Sequence, residues 1–108
     1  MEMVARFDIF LVSLDAESSA SAKDTRPAVV VSPDEMNRNL STVLIAPVAT
    51  SVVQYPTRLA VSILNAERFV ILDQIRCIDR ARLVKKIGEV DEDSRDKICD
   101  RLVEMFAK

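Results

Sequence analysis

Arg26 stands directly before Pro27, and proline pushes the residue ahead of it into an extended conformation, so this guanidinium leaves the mouth of a strand. A planar, permanently charged fork in that position can pair two phosphate oxygens at once. Thr50 and Ser51 follow the strand end at Ala46-Pro47, where a hydroxyl can hydrogen-bond a phosphate. In Asp73-Gln74-Ile75-Arg76, Asp73 could orient Arg26 or accept a proton, and Arg76 could meet a phosphate or form an internal ion pair. Asn37 and Arg38 close a short helix from which they could read nucleobases, and Tyr55 is the one aromatic in a polar loop, free to stack on a base. Each residue also has a plain reading: a loop-end arginine, turn chemistry at Thr50, a Tyr-Pro pair packed in a turn.

Composition narrows the chemistry. The chain has 108 residues, 49% hydrophobic and 30% charged, which suits one soluble globular domain over 1–108 with its own core. There is no histidine, and Cys77 and Cys99 lack metal-site spacing, so no metal, no cofactor and no Cys/His nucleophile is expected. Both thiols read as buried and reduced. No apolar run could span a membrane and no secretory leader is visible, so the expected location is cytoplasmic. A net charge of −2 speaks against a polynucleotide partner, but its distribution does not. Arg76, Arg80, Arg82, Lys85 and Lys86 precede an acidic block of Glu89, Asp91, Glu92, Asp93 and Asp96, which makes either a basic patch or a set of internal salt bridges.

The elements that must hold these groups are short. Strands are predicted over 7–14, 28–31, 42–48, 57–64, 68–72, 76–78 and 84–90. Ser32-Pro33-Asp34-Glu35 reads as a helix start with Ser32 as cap, and Asp79 to Leu83 as one helical turn. Asp91 caps a C-terminal helix whose apolar stripe runs through Ile98, Leu102 and Phe106, with Cys99, Val103 and Met105 beside it. Asp15 to Asp24 reads as a mobile loop. The fold class is mainly β with α (α+β): a small curved barrel of about six to seven strands plugged or flanked by the last helix.

Taken in order, Thr25-Arg26-Pro27-Ala28-Val29-Val30-Val31, Asn37-Arg38, Thr42 to Pro47, Tyr55-Pro56-Thr57-Arg58 and Leu72-Asp73-Gln74-Ile75-Arg76 resemble the MazF/PemK/Kid family of bacterial toxins, over roughly residues 6 to 90. The resemblance implies an SH3-like barrel, a homodimer, and a metal-independent endoribonuclease that cleaves single-stranded messenger RNA by 2′-hydroxyl attack. It also implies a cognate antitoxin that fills the RNA groove with an acidic flexible tail. Arg26 would then be catalytic, stabilising the phosphorane; Thr50 would hold the phosphate; and Ser51, Asn37, Arg38, Tyr55, Asp73, Gln74 and Arg76 would contact RNA.

Three departures stand out against that pattern. Counting from Pro47, the first hydroxyl position is Ala49, so Thr50 falls on the second. The glycine and glutamate usual before the Arg are Ser19 and Ser21, and the glycine usual before Asp8 is Phe7, a change expected to affect packing. A different class of function therefore stays open: a toxin-like protein that binds without turnover, or a gyrase poison like CcdB on the same fold.

Overall fold

The computed structural model describes residues 3–13 and 25–108. Seven antiparallel strands form one curled sheet: β1 (Asp8–Ser13), β2 (Thr25–Val30), β3 (Thr42–Ala49), β4 (Arg58–Ile63), β5 (Ala66–Ile71), β6 (Arg76–Asp79) and β7 (Leu83–Glu89). Two helices, α1 (Asp34–Asn39) and α2 (Glu92–Phe106), complete it. The strand order is β4-β5-β3-β2-β1-β7, with β6 attached to β3. This is a half-barrel closed by the C-terminal helix, as the strand spacing predicts. The segment expected to be a loop, Asp15 to Asp24, lies outside the described residues.

β1, β2 and β3 read as continuous apolar runs because both of their faces are covered. Ile9, Val29 and Ala46 pack on one side with Val61, Val70, Leu72 and Ile98; Phe10, Val30 and Ile45 pack on the other with Val4, Val43 and Ile78. β4 alternates over Ala60 to Ile63 instead, since one side of that strand faces water.

One feature of β3 builds the site. On one edge it pairs with β2 along Ala28↔Pro47, Val29↔Ala46 and Val30↔Ile45. Its other edge is shared. β6 covers Thr42 to Ile45, and β5 covers only Val48 and Ala49. Pro47 falls in the gap between the two partners, where a missing N–H is tolerated. The chain crosses that gap as a single 3-10 turn, Leu72–Gln74. The sheet therefore splits beside Pro47, leaving side chains from β2, β3, the turn and β6 around an opening.

Several expectations change here. The cap of α1 is Pro33, with no side-chain bond, because Ser32 is fully buried and committed elsewhere. The inward line of α2 runs through Ser94, Ile98, Leu102 and Met105, whereas Val103 and Phe106 are exposed. At 3.6 residues per turn the buried line reaches Met105, one position short of Phe106. Cys77 is exposed and Cys99 half-buried, because β6 turns only Ile78 inward and α2 turns Cys99 to the flank of its buried line.

Phe7 has φ 76°, the left-handed region that favours glycine, so its presence is a backbone matter as well as a packing one. Its N–H donates to the Val30 carbonyl at 2.7 Å, its carbonyl accepts from Val90 N–H at 2.9 Å, and Arg95 lies 5.4 Å over its ring.

The β4–β5 hairpin turns on Leu64 and Asn65, with φ of 52° and 64°, the geometry of a type I′ turn that Asn-Gly fits best. A left-handed leucine costs about 1–2 kcal/mol, and asparagine visits that region readily. Leu64 is 63% exposed, with its side chain lying over Gly88. Leu64→Asn is therefore expected to stabilise by about 1 kcal/mol and raise the thermal midpoint by roughly 4 °C. A calorimetric midpoint that stays put or falls would mean the contact with Gly88 outweighs the relief of strain.

Candidate active site

The opening beside Pro47 is a cleft of about 400 Å³ lined by Arg26, Pro27, Ala28, Ile45, Pro47, Val48, Ala49, Ile71, Gln74 and Arg76. Its floor and walls are largely apolar, so the two guanidiniums at its edge are less screened than they would be on open surface. Both are exposed, and among the described residues no carboxylate forms an ion pair with either. Arg26 donates from Nη1 to the carbonyl of Thr25 at 2.9 Å, which leaves further donors of the fork to face a ligand.

Strand register explains the convergence. Ala28 pairs with Pro47, so two residues outward on each strand, with the same side-chain parity, stand Arg26 and Ala49. Arg76 comes from the first residue of β6, opposite Ile45, and Gln74 from the 3-10 turn. Arginines from β2 and β6, the strands on opposite edges of β3, thus line one cleft. Two forks and an amide around a concave apolar floor suit an anion with several oxygens, such as a phosphodiester.

Asn37 is withdrawn from any base-reading role. It is fully buried, its Oδ1 accepts from Ser32 Oγ at 2.5 Å, and its Nδ2 donates to the Ser32 carbonyl at 3.0 Å. Ser32 Oγ in turn accepts from Leu44 N–H at 3.1 Å, and Arg80 donates to the Asn37 carbonyl. This knot ties α1 to β3 and to the turn before β7; it is structural.

Asp73 also serves elsewhere than at Arg26. It accepts from Thr57 Oγ1 at 2.8 Å and from Arg58 Nε and Nη2 at 3.3 Å. Hydrogen bonding from the Arg58 guanidinium, then from the Thr57 hydroxyl, holds its carboxyl below the usual carboxylate range, which makes it a poor proton acceptor. Thr50 and Ser51 are exposed just beyond the last residue of β3 and do not line the cleft. Arg38 is exposed at the end of α1, away from the cleft lining, and Tyr55 stands exposed in the loop between β3 and β4.

The basic block is partly spent on the fold. Lys86 bridges the buried Asp8 and Glu89, each at 3.2 Å, and Arg95 reaches the same Glu89 at 3.4 Å. Bonding to Asp8 and then Glu89 raises the pKa of Lys86, and Lys86 lowers that of Glu89. Arg76 is the member of the block that lines the cleft.

The family model described as "PemK-like, MazF-like toxin of type II toxin-antitoxin system" matches residues 5–106. The chain belongs to this toxin family. It is similar to Endoribonuclease EndoA of Bacillus subtilis (strain 168), 28% identical over 109 residues, which covers 93% of this chain and 91% of that protein. MazF of Deinococcus radiodurans superposes with a TM-score of 0.79 at 19% identity, covering all of both chains. A mycobacterial endoribonuclease solved in complex with its cognate antitoxin superposes at 0.77, with 22% identity over 94% of this chain and 92% of that one.

In this member of the PemK/MazF-like family the fold brings Arg26 of the Arg-Pro step and Gln74 and Arg76 of the Asp-Gln-Ile-Arg block to one cleft. Ala49 presents a methyl group to that cleft. A residue overlooked in sequence is Arg58. Beyond the Tyr-Pro-Thr-Arg block nothing marked it, because its role is a contact with Asp73, 15 residues away in sequence.

Proposed function

We propose that this chain is the toxin of a toxin–antitoxin pair and a metal-independent endoribonuclease that cleaves single-stranded RNA in the cytoplasm. The observation that carries the reading is the meeting of Arg26, Arg76 and Gln74 at the split in the sheet. The forks would bind the scissile phosphate and neutralise the charge that builds on it as the neighbouring 2′-hydroxyl attacks in line. Gln74 would fix one non-bridging oxygen or the adjacent ribose. With Ala49 on the floor, the phosphate lacks a hydroxyl partner there, and turnover is slow.

The whole of 1–108 acts as one domain, and two copies form the working unit, with the RNA groove completed across the two-fold. Sedimentation that shows only the 12.1 kDa chain at micromolar concentration would remove the composite groove. The acidic tail of an antitoxin would occupy the same cationic cleft. Exposed Arg38, Ser51 and Thr50 would touch RNA outside the cleft rather than at the scissile bond.

Cleavage of a long RNA is expected to proceed with EDTA present and to leave 2′,3′-cyclic phosphate ends, because an arginine-based site needs no Lewis acid. A strict magnesium requirement would contradict the proposal. A second reading is favoured by Ala49 itself: binding of RNA without turnover. It predicts retention of RNA by the wild-type protein and no cyclic-phosphate ends after long incubation.

A further inference from the structure

We propose that the hollow next to the cleft, between Tyr55 and Phe69, is a nucleobase subsite for a nucleotide flanking the scissile phosphate; this rests on the endoribonuclease reading above. The hollow measures about 430 Å³, and Val52, Gln54, Tyr55, Pro56, Arg58 and Phe69 contribute to its lining. It adjoins the arginine cleft through one strand pair, since Phe69 on β5 is the partner of Ala49 on β3. A strand of RNA whose phosphate sits between Arg26 and Arg76 can therefore lay its next base along the β5 side without a gap.

The loop bearing Tyr55 is held rather than loose. Arg58 donates from Nη1 to the Val53 carbonyl at 2.9 Å, and its backbone N–H donates to the Tyr55 carbonyl at 3.0 Å. The guanidinium is anchored by both oxygens of Asp73 and lies 5.9 Å from the Tyr55 ring centroid. Arg101 from α2 adds a bond to the Pro56 carbonyl. Yet the ring so fixed is 63% exposed. An aromatic face kept in water by this many contacts adds little to stability, and a preorganised face lowers the entropy cost of stacking a base. Gln54 supplies both a donor and an acceptor at the rim, the pair needed to read a base edge.

Arg58 is then a positioning residue: each of its three nitrogens donates to Asp73 or to the Val53 carbonyl, and it acts through Tyr55. Asp73, whose charge Arg58 neutralises, is the anchor of the same clamp.

Tyr55 is the chain's single tyrosine and there is no tryptophan, so intrinsic fluorescence reports on this ring alone. The experiment titrates the protein with a short, fully 2′-O-methylated RNA, which binds but cannot be cleaved, and follows tyrosine emission and the anisotropy of a terminal dye together. Both signals are expected to saturate together, with the emission quenched. Tyr55→Ala should weaken binding roughly 5- to 150-fold, Tyr55→Phe should retain it, and an abasic unit at one flanking position should abolish the quench. Gln54→Ala should flatten the preference among bases at that position. Binding by anisotropy with unquenched Tyr55, or Tyr55→Ala binding as tightly as wild type, overturns the subsite and leaves the endoribonuclease reading standing. Absence of binding to any RNA overturns that reading, and the subsite with it.

Discussion

Arg26→Ala is expected to lower single-turnover RNA cleavage by roughly 10²- to 10³-fold, the usual loss when one preorganised donor to a developing anion is removed. The fold should be untouched, because the side chain is exposed and its recorded bond is to the carbonyl of its own neighbour, Thr25. Arg26→Lys should recover little of the rate, since an ammonium cannot reproduce the planar fork. Circular dichroism and thermal midpoints of both variants should match the wild type. Near-wild-type cleavage in either variant would show that charge is stabilised elsewhere.

Ala49→Thr is expected to act in the opposite direction and raise the single-turnover rate. The methyl of Ala49 lines the cleft in register with Arg26, so a hydroxyl there would reach the phosphate that Arg26 holds. One hydrogen bond gained only in the transition state is worth about 1–3 kcal/mol, roughly 5- to 150-fold in rate. Threonine is β-branched and suits the end of β3, and Ala49 is only half-buried, so the change should cost little stability. Thr50→Ala should matter far less, because Thr50 is exposed beyond the cleft lining. If Ala49→Thr leaves the rate unchanged while Thr50→Ala abolishes it, the loop rearranges on binding RNA and Thr50 is the working hydroxyl.

Much of the fold was legible because its signals are local. Apolar runs bounded by Pro, Asn and Asp mark the strands, and the buried β1–β2–β3 runs are continuous because two cores cover them. The departures lie where local signals conflict with distant contacts. Ser32 has the chemistry of a helix cap, but burial against Asn37 and Leu44 claims its hydroxyl. Asn37 looks like a base reader in a polar stretch, and only the packing of α1 onto β3 shows that its amide is consumed. The left-handed backbone of Phe7 is held by its bonds to Val30 and Val90, partners far away in sequence.

At the site the same division holds. Arg26 was readable from the Arg-Pro step, and Gln74 and Arg76 from their block. Their meeting was not, because it depends on β3 handing its edge from β6 to β5 beside Pro47. Asp73 was placed in the right block with the wrong partner: Arg58 and Thr57 at the start of β4 reach it first. That Ala49 lines the cleft and Thr50 does not depends on where β3 ends, which no local signal in the sequence marks.

The central claim is that the phosphate is held between Arg26 and Arg76, and guanidinium Nε–Hε NMR during titration with a non-cleavable single-stranded RNA tests it most directly. The Nε resonances of Arg26 and Arg76 are expected to shift together and to the largest extent. Those of Arg95, whose Nε donates to the Val90 carbonyl, and of Arg101, paired with Glu104, should stay in place. Saturable RNA binding that moves other arginines and leaves Arg26 and Arg76 unmoved would contradict it.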